Sequence, residues 1–390
     1  MGTRLLRIAA YVSTFAGLAV GQVAGQLTPE RPRHEPAVIS PERAAKLEAQ
    51  LVREPGNERI HAELLTAYNA LSHPHDTVAG AKYNAQLVWF VTNHPESPVL
   101  DRDLSLFGVS NADDPSYQEL ESVWLDQLSK FPTSAPVLFH AGLFFRGFES
   151  ERAFDLFKKA SSLEPGNRRY LSQVIGTYAM AEQSPGLPSS DGKTKYYGNL
   201  TYTLAERLRE ELTTSTDPEL LSGVGFDLAR LAFVPGFDNS ALIIRGQQLM
   251  ERAAAMDPGN PRWSKAIDEA RMPPPDGATH GNRFIYADQM EKRLVTRVDP
   301  LYPLNAKAAH VEGSVVFFLQ VDKDGSVQSA NLVCGEPLLV NAAREAVLQY
   351  KYRPYIENGT PDILNGTPTP VGTEVKITFK LPANPKQDPK

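Results

Sequence analysis

The chain has almost no cysteine: Cys334 stands alone among 390 residues, so no internal disulfide can form and stability has to come from packing. It lies in a strand-like run, Asn331-Leu332-Val333-Cys334, where a buried thiol acts as a small apolar group rather than a nucleophile. Charge of one sign is also lacking. Lysine and arginine number 40 against 46 acidic residues, for a net charge of -6, and the two signs are interleaved. That balance excludes the basic face a nucleic-acid binder needs, and no run of like charge suggests an interaction tail. Past the first 25 residues no apolar stretch approaches the roughly 20 residues that span a bilayer.

Motifs that carry chemistry are missing as well. There is no zinc-protease helix motif, no serine elbow and no paired-cysteine metal motif. Gly186 and Gly192-Lys193-Thr194 imitate a phosphate loop, but five residues separate the glycines where the motif has four, and they follow a helix rather than a strand. His73-Pro74-His75-Asp76 puts two imidazoles in a polar turn between helices, where solvated residues are the simpler account than a metal site. His140 sits amid Leu138, Phe139, Leu143 and Phe144 and reads as a packed histidine. Carboxylates are plentiful, yet nothing singles out a pair for acid–base work. The chain is therefore read as no enzyme, with no catalytic residue, no metal site and no cofactor.

What is present describes a folded, exported protein. A 42% hydrophobic and 9% aromatic content is that of core-forming sequence, and the length allows two or three domains. Arg4 and Arg7, an apolar stretch from Ile8 to Val20 and small residues around Val23, Ala24 and Gly25 have the order of an export signal. Residues 1–25 are expected to be removed after Gly25; if retained, the same segment is an inner-membrane anchor. Either way the protein is expected in the periplasm or cell envelope.

A repeat then organises the chain. An apolar residue is followed eight positions later by proline at Leu47/Pro55, Leu87/Pro95, Trp124/Pro132, Phe157/Pro165 and Met250/Pro258. A fixed phase with a period of roughly 34 to 40 residues is what stacked helical hairpins produce, because each hairpin buries its apolar face only against its neighbours. Glu54-Pro55-Gly56-Asn57, Glu164-Pro165-Gly166-Asn167 and Asp257-Pro258-Gly259-Asn260 each stop one helix and start another: proline disfavours helix before it, glycine accepts left-handed dihedrals and asparagine caps the next helix. Ser40-Pro41-Glu42 and Asp217-Pro218-Glu219 are further helix starts. The segment from Val137 to Pro165 resembles a tetratricopeptide repeat, with Val137, His140, Ala141 and Phe144 in the first helix and Ala153, Phe157, Ala160 and Pro165 in the second and its end. An irregular tetratricopeptide-like array of about a dozen helices is expected over residues 41–271.

A Pro-rich break follows, Met272-Pro273-Pro274-Pro275-Asp276-Gly277, and residues 272–282 are taken as a linker. After it the periodicity changes from helical to alternating. Val315, Phe317, Leu319 and Val321 mark one face of a strand, Asp322-Lys323-Asp324-Gly325 a hairpin turn, and Ser326 to about Cys334 a second strand. Pro337 to Tyr350 returns to helix, with Leu339, Ala342, Ala343, Ala346, Val347 and Tyr350 on one side. The last strand places Val371, Thr373, Val375, Ile377 and Phe379 on one face and Glu374, Lys376, Thr378 and Lys380 on the other. The fold class is thus multidomain: an all-α repeat array, then a small α+β domain over 283–382 with an antiparallel sheet and one helix.

This last unit resembles the TonB C-terminal domain family through Tyr302-Pro303, Ala306, the run Gly313 to Val321, Asp324-Gly325, Leu338-Leu339, Ala342-Ala343, Ala346-Val347 and Tyr352-Arg353-Pro354. These are fold-making positions, not catalytic ones. The echo Asn358-Gly359-Thr360-Pro361 and Asn365-Gly366-Thr367-Pro368 lengthens the approach to the last strand relative to the family. Members that transduce energy carry a membrane helix and a long proline-rich stretch, whereas residues 272–282 reach at most about 40 Å when extended. The resemblance implies protein partners, an outer-membrane receptor or transporter among them, and a last strand that takes up an extended peptide. Val371, Glu374, Val375, Lys376, Ile377 and Thr378 are the expected partner-binding residues. The same strand also reads as an ordinary edge protected from aggregation by Lys376 and Lys380. A static envelope scaffold is the other function the sequence allows, with an enzyme in the repeat loops a distant third.

Overall fold

The computed structural model describes residues 40–72, 76–101, 106–184, 200–234, 239–273, 283–356 and 368–381. The expected export signal, His73 and His75, the glycines of the imitated phosphate loop, all but the first two residues of the expected linker and most of the Asn-Gly-Thr-Pro echo lie outside them. The chain divides into two compact units between Glu211 and Leu212.

Among its described residues the first unit holds α1 (Pro41–Leu51), α2 (Glu58–Leu71), α3 (Thr77–Asn93), α4 (Pro115–Lys130), α5 (Ala135–Phe145), α6 (Ser150–Leu163), α7 (Arg168–Gln183) and the greater part of α8 (Tyr202–Thr214), which ends beyond Glu211. The caps are those the sequence marks. Ser40 accepts the amide of Arg43, Asn57 that of Ile60 and Asn167 that of Arg169, satisfying first-turn donors that have no partner within the helix. The turn asparagines also reach back three residues. Asn57 donates to Glu54 at 2.6 Å and Asn167 to Glu164 at 3.0 Å, so each turn is tied across before the next helix begins.

Between the helices lies an aromatic core. Phe90, Trp124, Phe139, Phe145, Phe154 and Phe157 are all fully buried, and of the positions that resemble a tetratricopeptide repeat Val137, His140, Ala141, Phe144, Ala153, Phe157 and Ala160 are buried, while Pro165 in the turn is exposed. Gly142 explains how closely α5 and α6 approach, since a Cβ there would lie 2.6 Å from the Phe157 ring. His140 is a packed residue with both nitrogens engaged, Nδ1 with the Pro95 carbonyl and Nε2 with Asp101, each at 2.8 Å. His61 makes the same tie one hairpin earlier, to the Pro55 carbonyl at 2.9 Å. Two repeat prolines thus expose a carbonyl that a histidine from the following helices caps.

The second unit opens with α9 (Pro218–Arg230), a 3-10 turn (Leu231–Phe233), α10 (Ser240–Met256) and α11 (Pro261–Arg271), which brings the α-helices before the Pro-rich break to eleven among the described residues. Asp217 and Asn260 cap α9 and α11. Helices α9 and α10 cross at a pair of glycines: a Cβ on Gly225 would fall 2.5 Å from the Gly246 carbonyl. There follow β1 (Arg283–Phe284), α12 (Ala287–Glu291), β2 (Leu294–Thr296), α13 (Leu304–Ala308), β3 (Gly313–Val321), β4 (Val327–Gly335), α14 (Pro337–Val347), β5 (Lys351–Tyr352) and β6 (Val371–Phe379).

A helical region followed by a small domain of antiparallel strands with a helix is therefore the architecture. The main sheet has the order β1-β6-β3-β4, with β3 antiparallel to both β4 and β6, and β2 pairs with β5 in a separate two-stranded ladder. The short β1, parallel to β6, and the β2–β5 ladder are not legible in the sequence.

The sheet has buried side chains on both faces. Phe317 points toward α14, whose Arg344 guanidinium lies over its ring, while Phe318 points the other way and meets Phe233 edge-on at 5.5 Å. On that second side Gln247 of α10 donates to the Val333 carbonyl at 2.6 Å and Asn331 donates to the Val234 carbonyl at 2.9 Å. Contacts thus cross the Pro-rich break, because one apolar face of the sheet is covered by helices that precede it.

Two outcomes follow from this packing. Phe157→Ala should remove about 3–5 kcal/mol from the first unit through the cavity it leaves, without changing the unfolding of the second, as read by urea denaturation of each unit. A fragment from Leu212 to Lys390 should unfold cooperatively, whereas one from Arg283 to Lys390, with Phe318 stripped of its cover, should be less stable by about 2 kcal/mol or more and bind a hydrophobic dye. Equal stability of the two fragments would mean that the helices contribute nothing to the domain.

Candidate partner-binding site

Strand β6 is paired along its whole length on one side only. It runs against β3 from Gly313↔Phe379 to Val321↔Val371 with no shift of register. On its other side β1 covers two positions, Arg283↔Val371 and Phe284↔Gly372, and the Ile285 amide closes the pairing on the Gly372 carbonyl at 2.8 Å. Beyond that point no further strand pairs with β6 on this side among the described residues, although the helix α12 lies against β6.

The direction of the free groups follows from that last bond. In a strand the N–H and C=O of one residue face the same side, and successive residues alternate. Since the Gly372 carbonyl faces β1, the main-chain groups of Glu374, Lys376 and Thr378 face outward, and those of Thr373, Val375, Ile377 and Phe379 face β3. Among the described residues the three outward amides have no partner.

Side chains alternate in the perpendicular direction. Val371, Thr373, Ile377 and Phe379 are buried, Glu374 and Val375 are half-buried, and Lys376 and Thr378 are exposed. The six residues expected from sequence therefore divide in three ways. Lys376 and Thr378 turn both main-chain groups and an exposed side chain outward, and Glu374 turns its main-chain groups outward while its side chain is half-buried; Val375 and Ile377 have main-chain groups that face β3; Val371 is paired with Arg283 of β1. Glu374 stands opposite Phe318, and burial there pushes its carboxyl above the usual range. Thr378 is held by Ser314, with the two hydroxyls 2.9 Å apart.

The motifs that carried the resemblance hold this strand in place. The Tyr302 hydroxyl donates to the Val311 carbonyl at 2.6 Å and its ring meets Phe379 edge-on at 5.3 Å, so Tyr302-Pro303 pins the far end of β6. Gly325 has φ +83, and its carbonyl takes the Tyr352 amide at 2.8 Å; the turn needs that left-handed conformation and has no room for a side chain. Beside it, hydrogen bonds from Ser326 and Lys351 hold the Asp324 carboxyl well below the usual range. At the near end, Gly372 leaves space for the Phe318 ring, which a Cβ would meet at 2.6 Å.

Among the described residues no group of His, Cys, Asp and Glu side chains could hold a metal. Burial raises the Cys334 thiol, which makes it a poorer nucleophile. Two features escape a reading of the sequence: β1 on the edge, too short to show any alternation, and the helical cover over Phe318. The double aromatic Phe317-Phe318 is the one visible sign of the latter, since a strand with both faces buried reads as a continuous apolar run.

Comparison with protein families finds a match over residues 298–381 to the model described as the Gram-negative bacterial TonB protein C-terminal. A search of curated proteins gives no match. The matched span begins just before Tyr302-Pro303 and ends with β6, so it contains the open edge and both motifs that fix it. Residues 298–381 are thus a TonB C-terminal domain, a module for protein–protein interaction, within a longer helical chain.

Proposed function

We propose that the chain is an exported adaptor of the cell envelope that holds one protein partner on its tetratricopeptide-like helices, residues 41–271, and captures an extended segment of another on β6. The observation that carries this is the row of outward amides at Glu374, Lys376 and Thr378, unpartnered among the described residues on a strand otherwise fully paired. Main-chain hydrogen bonds give such an edge its affinity, and flanking side chains tune what it accepts. An outer-membrane receptor or transporter is the partner class that a TonB-type domain suggests, with residues 1–25 directing export. No helix among the described residues is long and apolar enough to cross a membrane.

A role in docking without energy transduction is favoured by one further observation. The sheet of residues 283–382 is fastened to α10 by the Gln247 bond and to the preceding turn by Asn331 and Phe233. A domain so tied to the helices beside it is presented as a fixed docking module rather than on a long tether.

Proline substitution separates an edge that binds from an edge that is merely protected, because proline removes the donor and leaves the rest of the strand. With an envelope extract as the source of partner, Glu374→Pro, Lys376→Pro and Thr378→Pro should each lower capture of the parent's identified partner at least tenfold while near-parental circular dichroism is kept. Val375→Pro and Ile377→Pro, whose amides face β3, should instead unfold the domain. Undiminished capture by every folded variant would assign recognition to the helices.

A further inference from the structure

The open edge of β6 does not begin at its first residue, because the chain has already laid a strand of its own there. We propose that β1 is a resident stop: it occupies the Val371–Gly372 end of the recognition edge permanently and confines a guest to the six positions Glu374 to Phe379. This rests on the assignment of β6 as the capturing edge and adds where on that edge a partner can sit and how long its paired segment can be.

Three observations hold β1 in place. Ile285, the residue that closes the pairing, is 4% exposed, and its amide is bonded to Gly372. The Phe284 ring lies nearly parallel to Phe318, at 11° and 6.2 Å, and meets Tyr286 edge-on at 5.5 Å. Phe318 is itself closed from another direction by Phe233, so the half-buried Phe284 extends an aromatic cluster. The chain continues into α12, which lies against β6 and buries Met290.

A guest that displaced β1 would exchange main-chain hydrogen bonds one for one and would uncover Phe284, Ile285 and one side of Phe318. Nothing on the guest's side offsets that loss, so pairing should stop where β1 begins. Six positions at about 3.3 Å per residue give a docking length of roughly 20 Å. The occupant that fits is a short extended segment of a partner protein, with one set of alternating side chains beside Val375 and Ile377 and the other beside Glu374, Lys376 and Thr378.

The test uses the full chain and dye-labelled peptides of alternating valine and threonine, four, six, eight and ten residues long, each with a solubilising polyethylene glycol tail. Binding is read by fluorescence anisotropy and the Ile285 amide by hydrogen exchange. Affinity should rise about tenfold from four to six residues and then level off, with the Ile285 amide equally protected in the free and bound protein. In Phe284→Ala, which loosens β1 but leaves Glu374 to Phe379 untouched, the rise should continue to eight residues by threefold or more.

Affinity that keeps rising through eight and ten residues in the parent, with loss of protection at Ile285, would show that β1 is displaced and overturn the stop while leaving edge capture intact. Absence of binding at every length, or binding indifferent to Lys376→Pro, would overturn edge capture and the stop with it. A concentration-dependent dimer abolished by Lys376→Pro would place a second copy of the chain on the edge and overturn the proposal in that way.

Discussion

Phe318 is the residue on which the second unit depends. It is fully buried on the face of β3 opposite to Phe317, so the sheet carries apolar surface on both sides and needs two covers. One is α14, which follows β4 directly. The other has to be recruited from earlier in the chain, and the Phe233 ring with α10 provides it. Gly372 and Phe284 follow from the same ring, the first by making room for it and the second by packing along it. The helical cover, the placement of β1 and hence the length of open edge on β6 are consequences of one side chain buried on the face a two-layer domain would leave to solvent.

That dependence explains which features are legible in the sequence and which are not. Helix punctuation is legible because it is local: Asn57, Asn167 and Asn260 cap the helices that come after them, through contacts within three residues. The alternation along β6 is legible because a strand with one wet face has period two, and burial follows it at Ile377, Thr378 and Phe379. Strand β1 is not, since two residues have no period. The cover over Phe318 is hidden for a different reason. It joins Gln247 to Val333 and Asn331 to Val234, contacts 86 and 97 residues apart, and no local pattern in either partner announces the other.

Within the first unit the same logic works on a smaller scale. The repeat prolines stop helices because they deny an amide, and the carbonyl they leave in the turn must still find a donor. His61 and His140 supply it, at Pro55 and Pro95. Each of these core histidines thus satisfies a turn carbonyl while it packs among apolar neighbours. His140 is legible as packed from its apolar neighbours, but its partners Pro95 and Asp101, 45 and 39 residues earlier, are not.

An edge strand that is to receive a partner must solve two opposed problems, since the amides that bind a guest also invite aggregation. Length is the quantity that reconciles them. A fully open β6 would offer nine residues in a row to any extended chain; with β1 in place the outward amides reduce to those of Glu374, Lys376 and Thr378. Lys376 then sets a charge in the middle of what remains, so two like edges brought together would oppose lysine to lysine, which disfavours self-pairing. A guest chain carries no such mirror-image charge and meets only the short row of donors and acceptors. Protection and recognition are therefore compatible in this strand, because the devices that blunt it against copies of itself do not close it to a different sequence.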